Sequence, residues 1–119
     1  MNARKKLILD IITSNFLENG TALGSPSIAR KKEVDFSAAT VRNIMNELQD
    51  EGYIRKKKNP FGSEPTEFGI MQFFMLFPEK RKKISRFSFS ENSFEKEIRY
   101  FLRKFSEYSE AITFAVGKD

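Results

Sequence analysis

The chain has 119 residues, 39% of them apolar, enough to bury one modest core. It contains neither Cys nor His, which excludes disulfides, thiol nucleophiles, Cys/His zinc sites and imidazole bases. Twenty-one Lys and Arg against sixteen Asp and Glu leave a net charge of +5, a balance that suits a polyanionic partner without requiring one.

The first predicted element is a helix over residues 3–18. At ~100° per residue, Leu7, Ile8 and Ile11 fall on one side and Leu9, Ile12 and Phe16 on the other. A helix apolar over most of its girth is buried on two sides or meets a second chain. Gly20 supplies its C-terminal stop. The basic start followed by Leu7–Leu17 has the outline of a secretion signal. Asp10, Thr13, Ser14 and Asn15 interrupt it, and no small-residue cleavage site follows. The longest apolar run, Phe68–Phe77, falls well short of the ~20 residues that span a bilayer. A cytoplasmic protein is therefore expected, with no membrane partner.

Ser25 is predicted to cap a short second helix, with Pro26 in its first position and an end near Lys32. Val34–Phe36 reads as the following turn. Ser37 is predicted to cap a third helix, Ala38–Glu51, which Gly52 ends. Val41, Ile44, Met45 and Leu48 form its apolar face; Ala39, Arg42, Asn43 and Asn46 lie opposite. That small, basic, amide-bearing stripe differs from the Glu/Lys mixture of a merely solvated helix. Tyr53–Lys58 then reads as a short strand and Asn59–Ser63 as a turn, with a very short returning strand around Ser63 and Glu64. Thr66 caps a last helix over Glu67–Phe77, stopped by Pro78.

This order predicts a mainly α fold with a small β wing, a winged helix-turn-helix over residues 1–77. Residues 78–92 read as a basic linker. Residues 93–119 combine an apolar stripe, Phe94, Ile98, Phe101, Leu102 and Phe105, with a strand-like Ala111–Val116. They read as the opening of an incomplete α/β domain for dimerisation or regulation.

The chemistry of the third helix points to DNA. Arg can bond guanine O6 and N7 together, and Asn can do the same with adenine N6 and N7. Arg42, Asn43 and Asn46 place both chemistries on one stripe. Ala39 and Thr40 are placed to contact thymine methyls or phosphate. Ser25, Ser27 and Ser37 stand at helix starts, where hydroxyls and free backbone N–H groups hold phosphate oxygens. Lys56, Lys57 and Lys58 suit the neighbouring backbone or minor groove. Taken alone, the lysines equally describe a solvated strand edge that blocks pairing, and Ser25 a simple cap. No grouping of Asp, Glu, Lys, Tyr or Ser has catalytic spacing, and the six Gly form no phosphate loop. No enzymatic activity, metal or cofactor is expected.

Three motifs recur in order: Gly24-Ser25 before the second helix, Ser37-Ala38-Ala39-Thr40-Val41-Arg42-Asn43 opening the third, and Leu48 followed by Gly52-Tyr53 closing it. Together they resemble the N-terminal domain of the HrcA family of heat-inducible transcription repressors. The resemblance covers residues 3–77 and continues loosely through Phe105–Tyr108, similar to the start of that family's dimerisation domain. It implies a bacterial, nucleoid-associated homodimer that represses chaperone operons by binding an inverted repeat in double-stranded DNA, with a chaperonin as co-regulator. Members of the family are much longer, so the resemblance implies a shortened chain.

One departure stands out. The family wing carries Gly-Arg ahead of Ile-Pro-Thr, where this sequence reads Gly62-Ser63-Glu64-Pro65-Thr66. An acidic residue is thus expected in a basic neighbourhood at the wing tip, leaving phosphate contact to Lys56–Lys58. It also keeps a second reading open, in which the winged helix is a protein-interaction module without specific DNA binding.

Overall fold

The computed structural model describes residues 1–58 and 61–80; most of the linker and all of the helix and strand read from 93–119 lie outside the described residues. Helix α1 (Ala3–Asn19) starts at Asn2, whose side chain accepts from the Lys5 N–H at 2.8 Å. It ends at Gly20, in the left-handed region with φ 70°. Its apolar girth is satisfied within the chain. Ile8, Leu9 and Ile12 are fully buried, and α1 packs against α3 (Ala38–Asp50), β2 (Phe61–Pro65) and α4 (Glu67–Leu76). The two apolar sides seen in the sequence therefore meet different elements of one molecule.

Helix α2 (Ser25–Ala29) departs from expectation at both ends. Its cap is Gly24, extended at φ −94° and ψ 162°, whose carbonyl accepts from Ile28 N–H at 3.2 Å. Because that carbonyl already takes the first helical bond, Ser25 is the first helical residue and no side chain caps the helix. Pro26 falls second, still among the residues whose N–H needs no intrahelical partner. The helix stops at Ala29 rather than near Lys32. Bonds from Lys31 N–H to Ile28 and from Val34 N–H to Lys31, both 3.1 Å, tighten the chain and place the turn at residues 30–33. That earlier turn brings Val34 into the core, 8% exposed.

Helix α3 follows the prediction within one residue. The Ser37 hydroxyl accepts from the Thr40 N–H at 3.2 Å, Glu51 closes the helix, and Gly52 follows at φ 87°. Val41, Ile44, Met45 and Leu48 are buried together with Ile28 and Ile54. Lys5 ties the start of α1 to the end of α3 by ion pairs with Glu51 and, at 3.2 Å, with Glu47. Its hydrogen bonds to Glu51 and then Glu47 push its pKa above the ordinary lysine value.

The wing is an antiparallel pair, β1 (Ile54–Lys58) and β2, with Arg55 opposite Glu64, Lys56 opposite Ser63 and Lys58 opposite Phe61. The returning strand is longer than its turn-like sequence suggests because both of its edges are paired. Leu23 and Ser63 exchange main-chain bonds of 3.0 and 2.7 Å, so the loop before α2 adds a one-residue bridge to the sheet. Gly62, at φ 147°, makes that approach possible: a Cβ there would lie 3.0 Å from the Ala22 Cβ and the Leu23 backbone.

Glu64 is not at the wing tip. It sits at the base of β2, 1% exposed, at the position where the family pattern has Ile. Arg55 Nε donates to Glu64 Oε1 at 2.8 Å from the facing position of β1. Lys57 Nζ stands 3.4 Å from Oε2, close enough to attract it but without a hydrogen bond. From Gly62 to Pro65 both faces of β2 are buried, with β1 and Leu23 alongside and α1 and α4 packed on the strand, so residue 64 is covered whatever its chemistry.

Thr66 opens α4. Its hydroxyl oxygen accepts from the Gly69 N–H at 3.0 Å, and its O–H donates to the Gly52 carbonyl at 2.6 Å. Gly69 crosses so close to Tyr53 that a Cβ would fall 1.9 Å from the Tyr53 carbonyl oxygen. Phe68 stacks on Tyr53 with centroids 4.9 Å apart, while Ile70, Phe73 and Phe74 are buried. A single 3-10 turn at residues 78–80 follows. Lys80 there pairs with Asp10 at 2.6 Å and lies over the Phe77 ring, so the first residues read as linker fold back onto α1 and α4. Three helices, a two-stranded wing and a closing helix make the described region a winged helix. No described helix is long and apolar enough to cross a membrane.

Candidate nucleic-acid interface

Burying Val41, Ile44, Met45 and Leu48 forces the other face of α3 outward, and Ala39, Arg42, Asn43 and Asn46 are all exposed there. Arg42 and Asn46, one turn apart, form one wall of a groove. The wing forms the other wall with Lys56, Lys57, Lys58 and Phe61–Ser63, and Gly24–Pro26 close one end. The groove encloses about 720 Å³. Four cationic side chains line it and no carboxylate does.

Of the residues singled out from sequence, the fold gathers Ser25, Arg42, Asn46, Lys56, Lys57 and Lys58 around this groove. The others lie beside it rather than in its lining. Asn43 and Ala39 are exposed along α3, and Ser27 is exposed on α2. Ser37 and Thr40 sit at the start of α3 with their hydroxyl oxygens 3.0 Å apart. The Ser37 oxygen accepts from the Thr40 N–H, and one of the two hydroxyls donates to the other, so one of their two protons is left for a further acceptor.

The wing lysines are not equivalent. Lys57 shares a strand face with Arg55 and Glu64 and is drawn toward the buried carboxylate. Lys56 and Lys58 share the other face with Ser63 and Phe61. Phe61 and Met45 were missed by sequence reasoning as groove residues. Met45 counts as core by its spacing. Phe61 carried a signal, since an aromatic between Pro60 and Gly62 in a turn has no core to serve.

No family model matches the chain. Curated proteins do. It is 31% identical over 121 aligned residues to the heat-inducible transcription repressor HrcA of Fusobacterium nucleatum, covering 98% of this chain and 34% of that protein. Identity is 32% to the Bacillus pumilus HrcA and 33% to that of Clostridium acetobutylicum, covering 79% and 76% of this chain. By sequence, the chain belongs to the HrcA family. It spans about a third of the F. nucleatum HrcA and 29% and 25% of the other two. A solved crystal structure described as a hypothetical protein shares the fold of this HrcA-like region. Its TM-score is 0.58 at 31% identity, covering 71% of this chain and 26% of that one.

Proposed function

We propose that the chain is a sequence-specific DNA-binding repressor of the HrcA type, acting without catalysis and without a cofactor. One observation carries this reading: the amide and guanidinium stripe of α3 and the lysines of the wing face one groove that contains no carboxylate. In this reading α3 enters the major groove, where Arg42, Asn43 and Asn46 meet base edges and Ala39 meets a thymine methyl. Lys56, Lys58, Thr40, Ser25, Ser27 and Ser37 hold phosphates on either side. Two copies meet the halves of an inverted repeat. With α1 packed inside its own chain, α4 offers a second copy an apolar surface among the described residues, where Phe68 and Met75 are exposed. The relatives' name, heat-inducible transcription repressor, supports heat-regulated genes as the target class, and the family resemblance implies chaperone operons among them. The reading as a protein-interaction module drew on Glu64 and on the incomplete C-terminal segment; Glu64 is buried and offers no surface charge, and the segment lies outside the described residues.

The test is a titration against an inverted-repeat chaperone operator and a scrambled duplex at two salt concentrations. Cognate binding that survives competitor, falls with salt and saturates at two chains per repeat is expected. Arg42→Ala should cost ~1–3 kcal/mol on the operator and relax the preference at one base pair. An unchanged operator affinity would mean that α3 does not read bases.

The lysines give a second expectation. Each phosphate neutralised adds about 0.9 to the slope of log affinity against log salt. Lys58→Ala should therefore flatten that slope by about one unit on any duplex. Lys57→Ala should change it less, because Lys57 is already drawn to Glu64. Equal slopes for the two variants would show that the ion pair opens when DNA binds.

A further inference from the structure

Phe61 is the most exposed large apolar side chain among the described residues, at 87%. It does nothing for the core. It opens β2 directly across from Lys58, on the strand face that also carries Lys56 and Ser63. Its backbone pairs with Lys58, and two residues further on Ser63 is bridged to Leu23. The paired strands therefore present a bare aromatic ring in a groove also lined by Arg42 and Lys56–Lys58.

A flat apolar ring surrounded by cations and amides matches a ligand that is anionic outside and flat and stacked within. Duplex DNA has that construction: phosphates on the rim, base faces inside. An acidic protein surface offers the charge without the stack. An anionic bilayer offers acceptors for Arg42 and an apolar interior, but no flat stacked faces for the ring.

We infer that Phe61 is a wedge. With one phosphate backbone of a duplex in the groove between α3 and the wing, the ring enters the adjacent minor groove, parts one base step and bends the DNA. Apolar side chains inserted this way unstack a step and kink the duplex away from the protein's point of entry. Pyrimidine–purine steps part most readily, so sequence would matter at a step that no polar group of the protein touches. This inference rests on the DNA-binding reading and adds a mode of recognition to it.

The experiment starts by letting the full chain select duplexes from a randomised pool. 2-Aminopurine is then placed singly at each step beneath the wing, and end-to-end energy transfer reports bending. The parent chain should brighten one position and shorten the duplex. Phe61→Ala should abolish both signals and weaken binding on the order of tenfold, the usual worth of one base–aromatic contact. Phe61→Leu, which keeps an apolar wedge, should retain most of the bend. Since the ring is exposed, both variants should melt like the parent. Normal binding by Phe61→Ala with brightening and bending intact overturns the wedge and leaves DNA recognition standing. Failure of the parent chain to enrich any duplex overturns both. Loss of binding to anionic phosphatidylserine vesicles in Phe61→Ala, with no effect on DNA, would reassign the ring to a membrane surface.

Discussion

Gly69→Ala is expected to remove a large part of the domain's stability. The added methyl would sit 1.9 Å from the Tyr53 carbonyl oxygen, and that oxygen is main chain, unable to swing aside like the end of a side chain. It also accepts from the Thr66 N–H at 3.0 Å. Relief requires α4 to move away from the start of β1, which breaks that bond and separates Phe68 from Tyr53. Overpacking typically costs about 1–3 kcal/mol and more where backbone must shift, so a loss of about 3 kcal/mol or more is expected here. Small domains hold only about 5 kcal/mol in many cases. Helix propensity works the other way, since Ala outranks Gly by about 1 kcal/mol in a helix interior. The sign of the measured change therefore separates the two effects. A urea titration followed by far-UV circular dichroism reads it directly. A variant as stable as the parent would mean that α4 crosses Tyr53 at a greater distance.

The second large effect concerns Glu64, where stability and DNA affinity should rise together. A buried carboxylate loses its hydration, and its return here is one hydrogen bond from Arg55 and an ion pair with Lys57. Its Oε2 has no hydrogen-bond donor. Both basic partners are about half exposed, so water weakens their attraction. Replacing a buried ionic group by a well-packed apolar one is often neutral or stabilising by about 1–4 kcal/mol. Glu64→Ile, which restores the family's residue type, should therefore gain about 1–2 kcal/mol, visible as a higher melting temperature. It also releases Lys57, and the salt slope on a scrambled duplex should steepen by up to about one unit. Glu64→Gln keeps the buried polar surface and loses the charge, so it should melt below the parent. If Glu64→Ile also melted lower, the ion pairs would be organising the wing rather than straining it.

The elements that repeat their pattern over several turns were legible in the sequence. The four-residue apolar face of α3 and the girth of α1 are set by spacing, and the caps at Ser37 and Thr66 follow from short hydroxyl side chains ahead of apolar runs. Single-residue decisions were less legible. Ser25 has the side chain of a cap, but the carbonyl that begins the hydrogen-bond ladder belongs to Gly24, and side-chain preference says nothing about that. Phe61 and Gly62 look like turn residues, yet they are strand, paired with Lys58 and Lys57, while the next residue, Ser63, is also bridged to Leu23 far upstream. Glu64 reads as surface because it is charged; the packing on both faces of β2 buries it. For the candidate site, residue types were legible and their assembly was not. Arg, Asn and Lys could be named one by one, while the groove that joins them, and the ring in its lining, depend on how the wing folds against α3.

The bridge between Leu23 and Ser63 has a consequence for cooperativity. The wing cannot peel away while the loop ahead of α2 stays in place, because the main-chain bonds of 3.0 and 2.7 Å between them would have to break first. The two amides should therefore exchange with solvent deuterium at a common rate, set by one shared opening rather than by two local ones. In such a unit, anything that grips the wing slows fluctuation in a loop it never touches, and warming that loosens the loop weakens the grip.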